Sequence, residues 1–300
     1  MRGRIATIAG ATTVLLIIIA LFVSAPKSWR IGGSLPSVAG HHPYRKPDPL
    51  PWNPPSPKDA SGEQPADRLI LKVKLENEDA SWIDSLFPAW RKDIITIWQG
   101  FSKLHEDEKR VDKGRVADAY LRWIIENYDN LPETVLFLPP EGNRPGKDLQ
   151  SIVWRRTNTD LKKDISALQM PFIQSSGFAN LHCPSPSTCA DLILPFRSPP
   201  NEFRTLEVAM PRVWEGLFGN TTVPGQLATP PGAEFAVSKA QVQKRSVEEY
   251  LKFWKWLNKT VMDDDTAGLV FEYLWHVIFG RDPVYCPEEK QCVCEVYGKC

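Results

Sequence analysis

No cysteine precedes Cys183 in this chain of 300 residues, and the chain has no net charge, with 36 Lys and Arg against 36 Asp and Glu. A general electrostatic binder of nucleic acid needs a basic excess, so no nucleic acid is expected as a partner. Histidine is scarce, five in all, and none lies between His105 and His182. The third predicted strand does not run into an Asp-x-Asp pair, the hard-oxygen set that would hold Mn²⁺ or Mg²⁺ with a nucleotide diphosphate. It runs instead into Pro139-Pro-Glu-Gly-Asn-Arg-Pro-Gly146. Asp263-Asp-Asp265 has suitable letters but reads as a helix N-cap and solvated turn. No metal site is expected, and no motif specifies a cofactor.

Long apolar runs are absent save one. Ile5 to Pro26 carries no charge and is dominated by Ile, Leu, Val and Ala. As a helix it spans about 33 Å, enough for a bilayer core. Arg2 and Arg4 precede it, favouring an N-in, C-out orientation, so residues 1–26 read as a transmembrane anchor of a single-pass type II protein. A cleaved signal peptide ending at Val23-Ser-Ala25 is the alternative. Either delivers the rest of the chain to the secretory pathway, in the lumen of the ER or Golgi or at the cell surface. Residues 27–67 form a Pro-rich stalk, because Pro fixes φ and removes donors.

The folded domain is expected over 68–300. Arg68 to Leu75 reads as a strand, Trp82 to Trp90 as a short helix and Asp93 to Trp98 as a second strand. Ala117, Tyr120, Leu121, Ile124, Ile125 and Tyr128 mark an amphipathic helix over 114–128, and Thr134 to Leu138 is a third strand. Alternating strands and helices with short connections predict an α/β fold with a mostly parallel sheet and flanking helices, as a single luminal domain behind the N-terminal transmembrane helix. Such sheets bind ligands beyond their carboxyl edge. Glu76 lies at the end of the first strand and is a candidate ligand-binding residue. Asp112, Lys113 and Arg115 lie ahead of the amphipathic helix, where the two cations suit a phosphate at its N-terminus.

The strongest chemical candidates lie further on. Ala267 to Gly280 reads as one buried helix, with Glu272 and His276 four apart and stacked on a single face. An imidazole supported by a carboxylate can activate a hydroxyl near neutral pH. Glu272, His276 and Asp112 are therefore the candidate catalytic set, against a structural reading in which Glu272 and His276 form a satisfied core pair. Six cysteines, Cys183, Cys189, Cys286, Cys292, Cys294 and Cys300, suit disulfides in an oxidising compartment. Cys183 and Cys189 suggest a local loop, and bridges from the last four would hold the tail against the domain. Asn220 and Asn258 sit in N-x-[ST] sequons, which fit a glycoprotein.

Asp112-Lys-Gly-Arg115, Tyr120-Leu-x-x-Ile-Ile-x-Asn-Tyr-Asp-x-Leu-Pro132, Gly177-Phe-x-Asn-Leu-x-Cys183, Glu234-Phe-Ala-Val-Ser238, Phe271-Glu-Tyr-Leu-Trp-His-Val-Ile-Phe-Gly280 and the Cys-rich tail together resemble the fungal family called domain of unknown function 3431. The resemblance covers Leu69 to Cys300 and implies a fungal protein whose layout is similar to that of secretory-pathway glycosyltransferases. That similarity implies a glycan or nucleotide sugar as ligand. The chain departs from the family at Pro139-Pro140, at Arg144-Pro145 and at Pro231-Gly-Ala-Glu234, where the family carries His, Trp-His-Asn, Cys and Gln. Chemistry carried at those positions would be lost here, leaving either a degenerate transferase or a non-catalytic glycan-binding or interaction domain.

Overall fold

The computed structural model describes residues 67–97, 113–114, 116–140, 163–183, 189, 192–219, 222–230 and 232–300. The expected anchor, nearly all of the stalk, Asp112, Arg115 and Asn220 lie outside them. No helix among the described residues is long and apolar enough to cross a membrane.

Strand β1 (Arg68–Leu75) leads through a short helix α1 (Trp82–Leu86) to β2 (Arg91–Ile97). Helix α2 (Val116–Asn127) precedes β3 (Thr134–Leu138), and α3 (Met170–Ser176) runs into β4 (Phe178–Asn180). Then come α4 (Thr205–Phe218), β5 (Phe235–Ser238), α5 (Lys239–Val242) and α6 (Val247–Lys259). The chain closes with α7 (Asp264–Glu272), α8 (Trp275–Ile278) and α9 (Glu289–Tyr297).

The five strands make one sheet in the order β2-β1-β3-β5-β4. β1 pairs in parallel with both β2 and β3, while β5 is antiparallel to both β3 and β4. The expected mostly parallel sheet is thus a mixed one. The parallel half comes from neighbouring strand–helix–strand units, whose crossovers dictate direction. β5 returns after a long excursion, and no crossover rule fixes its sense.

β1 is central and buried from Leu69 to Leu71 on both faces, as its continuous apolar run requires. β2 is an edge strand and keeps Arg91, Lys92 and Asp93 where charge discourages edge pairing. One face of the sheet carries Tyr120, Phe137, Phe235, Phe178, Trp275 and Phe279 in edge and stacked contacts 4.8–6.1 Å apart. The other packs Ile70, Leu136, Leu138 and Ala236 against Ile83, Ile165, Ile173 and Tyr297.

Helix starts follow their caps. Ser246 and Glu249 form a capping box on α6, and Asp263 accepts from the Thr266 backbone N–H at the start of α7, as its sequence suggests. A buried carboxylate, Glu207 on α4, anchors the preceding loop. It accepts from Arg197 Nε at 2.5 Å, the Leu194 backbone N–H at 2.8 Å and Arg204 Nε at 3.1 Å. The Arg197 hydrogen bond above all holds its pKa down to about 2.

All six cysteines are paired: Cys183 with Cys292, Cys189 with Cys286, and Cys294 with Cys300. The expected local Cys183–Cys189 loop is therefore corrected. Each of those cysteines reaches the tail instead: Cys189 pairs with Cys286 ahead of α9, and Cys183 with Cys292 on α9, which lies against α3 with Gln169 N–H donating to Val296 O. The tail is held to the domain as its cysteine content predicts.

Candidate functional site at the carboxyl edge of the sheet

The register places five chain ends on one edge. β1, β2 and β3 finish there, β4 finishes there at Asn180, and β5 starts there opposite Phe137 and Asn180. Polar side chains concentrate along this edge.

Lys72 is the most unusual of them, a lysine at 1% exposure in the central strand. Its Nζ reaches Glu78 Oε1 at 2.6 Å and donates to Pro139 O at 2.6 Å, linking the end of β1 to the end of β3. Glu78 also accepts from the Leu75 backbone N–H at 3.1 Å. A charge taken this far from water needs such pairing. Glu76, the expected ligand-binding residue, is exposed in the same turn, while Glu78 is the carboxylate turned inward.

Beyond β3, His182 meets Glu234 through Nε2 and Oε2, with side chains 14% and 22% exposed. Each has a firm backbone. Asn180 Oδ1 accepts from the His182 N–H at 2.7 Å, and the Leu181 N–H donates to Glu234 O at 3.1 Å. Next to them the buried Tyr120 hydroxyl donates to Ala233 O at 3.0 Å. Burial raises the phenol pKa well above its ordinary value, and the negative charges of Glu234 and Glu272 raise it further.

His276 is elsewhere. The expected single helix over 267–280 is broken: α7 ends at Glu272, Leu274 adopts φ −122°, and α8 begins at Trp275. Glu272 and His276 are not consecutive turns of one helix. His276 is 1% exposed and its Nε2 pairs with Pro283 O at 3.0 Å. A carbonyl can only accept, so Nε2 carries the proton. Nδ1 is buried with no hydrogen-bond partner, so neither ring nitrogen bonds to Glu272. The ring stacks on Tyr285, and burial lowers its pKa to about 4. Pro283 O also accepts from the Ala228 N–H, so His276 helps pin α8 to that segment.

Lys113 is fully buried, donating to Met262 O and lying 3.5 Å from Asp264 Oδ1. It fastens the turn before α2 to the start of α7 rather than presenting its charge to a ligand. Gly114 (φ 68°) and Gly268 permit that approach, since a Cβ on Gly268 would meet Gly114 O at 3.1 Å. Asn258 sits in the last turn of α6, not in a loop, and its amide donates to Trp254 O at 2.9 Å. Among the described residues no group of three or more His, Cys, Asp or Glu is placed to hold a metal ion.

Glu234 lies in a segment the sequence singles out, but its partnership with His182 carries no signal at sequence level, because the two lie 52 positions apart and meet only through β4–β5 pairing. Lys72 does leave one: a lysine inside Leu69-Ile-Leu-Lys-Val73 is out of place in a central strand. An open concavity of about 560 Å³ is lined by Arg197 to Phe203 of a single loop. The edge draws on several separate segments and is the stronger candidate.

The fold and site define a mixed α/β domain with a charged carboxyl edge and a disulfide-stapled tail. The family described as Protein of unknown function (DUF3431) matches residues 70–295, and the chain belongs to that family. No curated protein and no solved structure matches the chain.

Proposed function

We propose that this chain is a glycosyltransferase-like domain of the secretory pathway, binding a nucleotide sugar at the carboxyl edge of its sheet. Residues 1–26 anchor it and residues 27–67 space it from the membrane, with the domain in the ER or Golgi lumen or at the cell surface. The single observation that carries the binding site is the presence of two ion pairs, Lys72–Glu78 and His182–Glu234, at strand ends along one sheet edge. The compartment is supported by the pairing of all six cysteines, since such bridges persist where the environment is oxidising.

A ligand that binds only the native state raises its melting temperature. The full-length protein in detergent is heated with nucleoside diphosphates and nucleotide sugars, with and without Mn²⁺. At a hundredfold excess over Kd the expected stabilisation is about 2.7 kcal/mol, a rise of roughly 5–10 °C. No rise with any donor removes the nucleotide-sugar reading.

A second reading is a non-catalytic glycan-binding or interaction module. It is favoured by His276 and Lys113, which are buried in the interior, where His276 Nε2 donates to Pro283 O and Lys113 Nζ is held by Met262 O and Asp264. A shift produced by free oligosaccharides, with no donor turned over, is the result that selects it.

A further inference from the structure

Two described histidines differ in the one respect that matters for proton transfer. His276 is sealed in the interior, whereas the His182 side chain is 14% exposed and its Nε2 faces a carboxylate. An imidazole held by a carboxylate through one nitrogen is oriented, has its tautomer fixed, and is stabilised when it gains a proton at the other. We infer that His182 and Glu234 form an acid–base pair, with His182 the proton acceptor for a hydroxyl group and Glu234 its positioning residue. The inference rests on the transferase reading for its substrate, a sugar hydroxyl, and on this geometry for its residues.

The frame around the pair is rigid. Asn180 ties the His182 backbone through Oδ1 and donates from Nδ2 to Pro230 O at 3.3 Å. Tyr297 donates its hydroxyl to Leu181 O at 2.5 Å, and Cys183 is bridged to Cys292 on α9. The backbones of both partners are thus fixed from the sheet and from the tail, which lowers the cost of holding a reactive geometry.

The step balances without a further reactant. The hydroxyl O–H breaks and its proton passes to His182 Nδ1, while Nε2–H stays bonded to the Glu234 carboxylate. The hydroxyl oxygen bonds to the anomeric carbon of the donor. The bond from that carbon to the nucleoside diphosphate breaks, and its electron pair leaves with the diphosphate. The imidazolium then returns the proton to solvent.

The test uses the full-length protein in detergent, a panel of nucleotide sugars, and methyl glycosides as hydroxyl acceptors. H182Q and E234Q are expected to keep the circular-dichroism spectrum of the wild type, so that a change in turnover is not a loss of fold. H182Q is expected to lose at least a hundredfold in diphosphate release and to recover part of it with added imidazole, which a structural role would not give. Wild-type turnover in H182Q overturns the inference. A wild type with neither thermal shift nor turnover overturns the transferase reading and with it the hydroxyl substrate. The pair itself is then read by carbethoxylation of His182, mapped by mass spectrometry. A several-fold faster modification in E234Q shows the contact, and equal rates remove it.

Discussion

His276 and His182 are each paired with a glutamate, one by sequence spacing and one in space, and they have opposite fates. Four residues separate Glu272 from His276, yet a break between α7 and α8 leaves the imidazole facing Pro283 O with Nδ1 buried and unpartnered. Fifty-two residues separate His182 from Glu234, yet β4–β5 pairing brings them together at a partly exposed edge. An acid and a base at helical spacing are a site only if the helix is continuous and the face is wet. A sheet edge collects polar groups from remote segments and exposes them, which is why the proposed site lies there.

The comparison is broken most severely by removing the staple beside His182. Replacing Cys183, Cys189, Cys286 and Cys292 by Ala opens both nested bridges, the wider joining residues 109 positions apart, with an expected loss of about 5 kcal/mol by loop entropy. Chemical denaturation reads it, and accessibility at His182 should rise while His276 stays protected. Next in size is Lys72→Met, which leaves Glu78 without its buried cation at an expected cost of about 4 kcal/mol. K72M together with Glu78→Leu should recover most of that, because the cost is the orphaned charge and not the lost pair.

The interior histidine gives a smaller effect with a definite pH window. Burial lowers its native pKa from 6.5 to about 4. Between those values the unfolded chain takes up a proton at this imidazole and the native state does not. Stability is therefore fully present above pH 6.5 and declines as pH falls toward 4, by about 3 kcal/mol in all. His276→Leu should flatten urea midpoints over that range. Glu207 titrates lower, since its native pKa of about 2 lies beneath 4.5, so its contribution is lost only as pH falls from 4.5 towards 2. The smallest effect is Gly268→Ala, where Gly114 O at 3.1 Å must give way, at about 1 kcal/mol in thermal denaturation.

Much of the parallel half was legible because its signals are local. The strand at Arg68–Leu75, the strand at Thr134–Leu138 and the buried stripe of α2 follow from apolar periodicity. The antiparallel half was legible only in part, as a short strand over Glu234–Ser238 that ends in the cap of α5. β4 has three residues, too few for an alternation pattern, and the direction of β5 depends on contacts with strands far away in the chain. The break at Tyr273-Leu274 left no mark either, since two short buried helices carry the same aromatic run as one long one. For the site, Lys113 was placed correctly ahead of α2, but its burial against Met262 and Asp264 is a tertiary fact. His182 and Glu234 required the register itself.

The central claim is that ligand binds at the carboxyl edge, among His182, Glu234 and Lys72–Glu78. The most direct measurement is photo-crosslinking of the full-length protein with a photoreactive nucleotide sugar, mapped by mass spectrometry. Adducts on the peptides bearing Lys72–Glu78, His182 and Glu234, competed away by the unlabelled donor, are the predicted result. Competed adducts confined to Arg197–Phe203, or to the segment around His276 and Pro283, would contradict it.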